Sequence, residues 1–203
     1  MKSDAIAFGI AGVFFGLIAG WIIGSQQGGT VRPTAAPQAE TAAAPAGGSG
    51  QTRAAILDET QVNALKAVAE REPSNAKPRV ELGNLFFDAE RYADAIKWYG
   101  EAVTLQPNDV NISTDLGVSY YYTNQPDKAL AQFDQSLKID PKHAKTLLNV
   151  GIVRAFGKQD LDGASKAWQE VIRLAPDSPE GHAAKRAMDS LSSAHSGINK
   201  PGQ

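Results

Sequence analysis

Three stretches decide the fold: LGNLFFDAERYADAIKWYGEAVTLQP at 82–107, LGVSYYYTNQPDKALAQFDQSLKIDP at 116–141 and VGIVRAFGKQDLDGASKAWQEVIRLAP at 150–176. Each opens on an aliphatic residue followed by glycine and closes on proline. The closing prolines, Pro107, Pro141 and Pro176, stand 34 and 35 residues apart, and another 34 residues back from Pro107 lies Pro73. Self-similarity at a fixed interval of this size marks an architecture of stacked units, none of which buries its apolar face alone.

Within a unit, apolar residues recur at three- and four-residue steps, as in Leu82, Leu85, Phe86 and then Ala95, Ile96, Tyr99, Ala102, Val103. That spacing predicts two amphipathic helices per unit. Short polar turns divide them at Ala89-Glu90-Arg91, Asn124-Gln125 and Lys158-Gln159-Asp160. Gly83, Gly117 and Gly151 fall inside the first helices, where glycine costs about 1 kcal/mol against alanine. The cost makes sense if the backbone there touches a neighbouring helix, and the small Ala95, Ala129 and Ala164 serve the same approach from the second helix. Each proline then stops its helix, while Pro126 opens one at the first turn, where proline is tolerated.

Leu82-Gly83 with Phe86, then Ala95, Tyr99, Ala102 and Pro107, resembles the tetratricopeptide repeat family, whose signature is W-x₂-L-G-x₂-Y, A-x₃-F and a closing proline. Leu116-Gly117 with Tyr120, Ala129, Phe133, Ser136 and Pro141 repeats it, as do Val150-Gly151, Ala164, Trp168, Val171 and Pro176. The resemblance covers about 76–178. It implies an all-α, right-handed solenoid of three helix pairs at 76–109, 110–143 and 144–178. The leading tryptophan position holds Arg79, Ser113 and Leu147, and Arg154 replaces the aromatic of the third unit. An extra residue near 157–163 is expected to lengthen the third turn and leave that unit the least regular. Both ends of such a stack need covering. An amphipathic helix from Ile56 to Arg71, within 53–75, and a polar helix from Glu180 to Leu191, within 179–191, are read as the covers, and 192–203 as a disordered tail.

The resemblance further implies that the first helices line a concave groove for a partner. Its candidate residues are Asn84, Phe87 and Asp88 from the first unit; Thr114, Val118, Tyr121 and Tyr122 from the second; and Lys145, Asn149, Ile152 and Phe156 from the third. Phe87 and Phe156 suit packing between units as well as binding. Tyr121 and Tyr122 carry hydroxyls that seek water or a partner, which favours binding. Family members that clamp a terminal carboxylate use basic and amide side chains at positions held here by Val80, Asn84, Asp115, Lys145 and Asn149. Only Asn84 and Lys145 match, and Asp115 would repel the ligand. An extended or helical peptide suits the remaining groove better.

Ahead of the repeats, Ala5 to Gly24 reads AIAFGIAGVFFGLIAGWIIG without a charged side chain. Twenty residues in a helix span about 30 Å, the hydrocarbon thickness of a bilayer. A cleaved signal peptide would carry a shorter apolar run of about 7–15 residues and a small-x-small site. An uncleaved single-pass anchor at 1–24 is therefore expected, with the repeats on the extracytoplasmic side of the inner membrane. Gly12, Gly16, Gly20 and Gly24 line one face at four-residue steps, a packing surface for another helix that would admit a second copy of this chain. Residues 25–52, rich in Ala, Pro, Gly and Thr, read as a flexible tether.

The chain of 203 residues has a formal charge of −2, so no basic stripe recommends nucleic acid as a partner. It has no cysteine, which excludes thiolate chemistry and disulfides. His143, His182 and His195 lack metal-ligand spacing, and no phosphate loop or nucleophile elbow occurs. The reading is thus a protein-binding module with no cofactor, no metal and no catalytic residue. Its layout resembles bacterial cytochrome c maturation factors and translocon-associated periplasmic chaperones. The alternative is a scaffold or regulatory subunit assembled through the glycine-lined helix.

Overall fold

The computed structural model describes residues 56–198, all of whose regular structure is helical. The apolar segment 1–24, its glycines Gly12, Gly16, Gly20 and Gly24, and the tether 25–52 lie outside the described residues, as does 199–203. Among the described residues no helix is long and apolar enough to cross a membrane.

Eight helices follow in chain order: α1 Glu59–Arg71, α2 Lys77–Asp88, α3 Tyr92–Leu105, α4 Val110–Tyr122, α5 Pro126–Ile139, α6 Ala144–Ile152, α7 Leu161–Leu174 and α8 Pro179–Ile198. Helices α2 and α3, α4 and α5, and α6 and α7 pair within units, and each second helix packs on the first helix of the next unit. Helix α1 covers α2, and α8 covers α7 while also touching α6.

The pairs nest through the glycines. A methyl group placed on Gly83 would stand 2.5 Å from the Tyr99 ring, and one on Gly117 would stand 2.5 Å from Phe133. On Gly151 it would run into the Trp168 indole, whose Nε1 donates to the Leu148 carbonyl at 3.2 Å. Tyr99, Phe133 and Trp168 are each buried, as are Ala95, Ala129 and Ala164. Each first helix thus gives up a side chain so that an aromatic ring from the second can lie against its backbone.

Each unit turns between its helices at a residue in the left-handed region: Glu90 (φ 57°), Asn124 (φ 59°) and Gln159 (φ 56°). In the first two units the following N–H closes the helix end, Arg91 onto the Phe86 carbonyl at 2.8 Å and Gln125 onto Tyr120 at 2.9 Å. This pattern satisfies carbonyls that would otherwise be orphaned. In the third unit the matching bond runs from Asp160 to Arg154 and spans one residue more. The extra residue expected in that turn is instead absorbed by the helix, whose end widens into a π turn at Val153–Gly157. The cause is geometric: the left-handed turn and the Gly151–Trp168 seat both keep their place, so only the helix between them can accommodate the insertion.

The covers differ in detail from the sequence reading. Ile56 precedes α1 and is exposed, because the helix starts only after Asp58, whose carboxylate caps the N–H groups of Thr60 and Gln61. Val62 and Ala69 carry the buried face. At the other end α8 runs on to Ile198, past the expected limit at Leu191. Ser192 and Ser193 remain inside it, donating to the Asp189 carbonyl at 2.8 Å each. Arg79, at the position the repeat signature gives to tryptophan, ties α1 to the stack. Its guanidinium donates to the carbonyls of Ala69 (3.1 Å) and Asn75 (2.8 Å) and meets Glu101 at 3.2 Å. A cation at the carboxyl end of α1 answers both its open carbonyls and its dipole.

Candidate partner-binding groove

The first helices α2, α4 and α6 carry ten of the eleven groove residues and the π turn after α6 carries Phe156, and the structure sorts them into two sets. Phe87, Thr114, Val118, Asn149 and Ile152 are buried. Of these, Phe87 meets Tyr122 of the next unit edge-on, at 5.6 Å between ring centroids. Thr114 and Thr146, both fully buried, share a hydrogen bond of 2.7 Å between α4 and α6, and Asn149 donates to the Lys145 carbonyl at 2.8 Å. Asn84, Asp88, Tyr121, Tyr122, Lys145 and Phe156 are half-buried.

Lys145 is engaged within the fold. Its ammonium meets the Asp115 carboxylate at 2.7 Å, bridging α6 to α4. Burial pushes the Asp115 carboxyl up from its ordinary range, and Lys145 partly opposes that shift. The pair removes the one basic side chain that a carboxylate clamp would retain. Asn84, the other matching residue, accepts from the Tyr99 hydroxyl at 2.6 Å. The clamp reading therefore fails on geometry as well as on sequence.

A directional network borders this pair. The Thr114 hydroxyl donates to the Val110 carbonyl at 2.7 Å, so it must accept from Thr146. Thr146 has one proton and spends it on Thr114, so its contact of 2.7 Å with His143 Nδ1 requires that nitrogen to carry a hydrogen. Burial lowers the His143 pKa from its ordinary value, against the pull of Asp140.

At the turn edge of the first two units lies a ring cluster. Tyr92, the first residue of α3, stacks on Tyr122 at the end of α4, with centroids 4.5 Å apart and planes 14° apart. Phe87 packs edge-on against both, at 5.2 Å from Tyr92 and 5.6 Å from Tyr122, and Tyr121 follows at 5.9 Å from Tyr122. Burial raises the phenol pKa of Tyr92 to about 12 and pushes Tyr122 further up, with Glu90 adding to both. These hydroxyls stay protonated donors under physiological conditions. The sequence places the candidate groove on first helices alone and so leaves out Tyr92. The signal available was its position just beyond a tight turn, which returns the chain beside Phe87.

Asp88 completes the strip, one helical turn beyond Asn84. Burial raises its carboxyl pKa, and among the described residues no cation lies within ion-pair distance of it. Its field and that of Asp115 both reach the Tyr99 hydroxyl. Elsewhere polar groups are satisfied internally: among the described residues no buried side-chain nitrogen or oxygen lacks a partner, and no cluster is placed to hold a metal ion.

Residues 83–123 match the family model of the TPR repeat, and 113–143 match that of the tetratricopeptide repeat. Residues 83–143 thus match tetratricopeptide repeats, and the third unit continues the same helix pairing. Hsp70-Hsp90 organizing protein 3 of Arabidopsis thaliana is 27% identical over 131 residues, covering 64% of this chain and 23% of that relative. The chain thus spans under a quarter of that protein's length. Among solved structures, MamA superposes with a TM-score of 0.55 at 19% identity, covering 66% of this chain and 81% of that one. The first TPR of Spaghetti (RPAP3), bound to the HSP90 peptide SRMEEVD, gives 0.51 at 21% identity, covering 69% and 97%. At these identities the structural likeness speaks for the fold alone.

Proposed function

We propose that this chain is a membrane-anchored, non-catalytic adaptor of chaperone-like character that holds a peptide or protein partner along its first-helix face. The observation that carries the proposal is the strip formed by Asn84, Asp88, Tyr92, Tyr121 and Tyr122. It joins half-buried rings to an unneutralised carboxylate on a stack whose buried side-chain polar groups, among the described residues, are satisfied internally. Tyrosine supplies large contact area at low entropic cost and anchors many interfaces. The likeness to a repeat domain solved with a peptide, and to a chaperone-organizing protein, supports the same reading. The charge-free run Ala5–Gly24 supports an inner-membrane anchor, with the repeats on the extracytoplasmic side in a role of the cytochrome c maturation or protein-assembly type.

The test compares the full-length chain with its Tyr121→Ala/Tyr122→Ala variant, both purified in mild detergent from their own cells. Circular dichroism melts confirm that the variant still folds. Quantitative mass spectrometry of co-purifying proteins should show clients retained by the parent and depleted about tenfold from the variant, as expected for loss of anchor residues. Equal recovery by both would remove the groove from the account. A single stoichiometric membrane protein held equally by both would favour a scaffold assembled through Gly12, Gly16, Gly20 and Gly24.

A further inference from the structure

The polarity of the strip specifies its partner more narrowly, on the premise that the groove binds a peptide at all. We infer that the groove between α2 and α4 receives an arginine side chain of an extended partner segment, its guanidinium meeting the Asp88 carboxylate and lying against the tyrosine shelf that begins at Tyr92.

Three observations converge. First, the groove offers no net positive charge. Lys145 is neutralised by Asp115 at 2.7 Å, while Asp88, a carboxylate of the strip, has no ion-pair partner among the described residues. Second, Asp88 is half-buried, so its charge has already lost part of its water shell, and a matching cation would recover that loss. Third, Phe87, the residue before Asp88, packs edge-on against Tyr92 and Tyr122, so the ring cluster begins one residue from that carboxylate.

Guanidinium suits this combination better than ammonium. It is planar, weakly hydrated, stacks on aromatic rings and donates in a fork that matches a carboxylate. An acidic segment would face Asp88 unscreened and gain nothing from Lys145. The groove thus has the charge preference opposite to that of a carboxylate clamp.

The experiment is a titration of the full-length chain in micelles, followed by NMR at the amides of 84–92 and 119–123. Three peptides of the form acetyl-Gly-Ala-Xaa-Ala-Gly-amide are used, with Xaa as arginine, its uncharged isostere citrulline, or glutamate. The arginine peptide should bind at least fivefold more tightly than citrulline, with glutamate weakest. Asp88→Asn should abolish the ratio between arginine and citrulline while leaving the fold intact, because Asp88 has no ion-pair partner to lose. Tyr92→Ala should weaken arginine binding but keep the ratio. If citrulline or glutamate binds as tightly as arginine, or if Asp88→Asn keeps the preference, the inference is overturned while the groove stands. If no peptide of any charge shifts these resonances, both the inference and the peptide-groove reading fall.

Discussion

Replacing Gly117 with alanine tests the nesting of the units against the ordinary behaviour of helices. Alanine in a helix interior is favoured over glycine by about 1 kcal/mol, so local propensity predicts a gain. The structure predicts the reverse. The new methyl would stand 2.5 Å from Phe133 Cε1 and 2.7 Å from Cδ1, far inside contact distance. Phe133 is fully buried and cannot swing into solvent. Overfilling a packed core costs about 1–3 kcal/mol, so the net change should be a loss of about 1 kcal/mol. Gly100, in α3, has nothing within 4 Å of where its methyl would go, and Gly100→Ala should stabilise by about 0.5–1 kcal/mol. The two variants differ by one methyl each yet should move the urea midpoint in opposite directions, with melting temperatures about 5 °C apart. Circular dichroism at 222 nm reads both. A Gly117→Ala protein as stable as Gly100→Ala would refute the claim that the ring lies against that backbone.

Further outcomes follow from the contacts and burial of individual residues. Arg79→Leu should cost about 2 kcal/mol and free the amide hydrogens of α1 to exchange, since it strips the caps from Ala69 and Asn75. Lys145→Met should destabilise by about 3 kcal/mol, because it leaves Asp115 charged and enclosed, whereas replacing both partners by apolar residues should cost less. For His143, whose folded pKa is lowered, the unfolded chain takes up the proton first. Stability should therefore fall as pH drops through about 6.5 and level off below the folded pKa. Asp88 and Asp115 act with the opposite sign: their raised folded pKa values add stability as pH falls through them towards 3.8. Long-range nitrogen correlation spectra at pH 7.5 should show the neutral His143 ring protonated at Nδ1.

What the sequence made legible was whatever repeats. The prolines at 34-residue steps, the glycines in the first helices and the aromatic residues at Tyr99, Phe133 and Trp168 form one device used three times, so each copy corroborates the others. What escaped it was singular. The insertion in the third unit was readable as one extra residue, but its resolution into a π turn depended on which neighbours were immovable. The Lys145–Asp115 pair joins residues 30 positions apart, and the Arg79 caps reach back across the preceding turn. Neither is a local pattern. The burial of Phe87, Thr114, Val118, Asn149 and Ile152 depends on how tightly successive first helices approach, a matter of angle that periodicity leaves open. Tyr92 shows the remaining limit: a second-helix residue became part of the groove because a tight turn brought it there.

The most direct test of the account is photo-crosslinking in living cells with a benzophenone side chain placed alternately at Tyr121, in the groove, and at Gln135, exposed on the second helix α5. The account predicts a discrete adduct from position 121 that is absent from 135 and diminished by Asp88→Asn. Adducts of equal yield from both positions, or from 135 alone, would contradict the claim that the first-helix face is where this chain meets its partner.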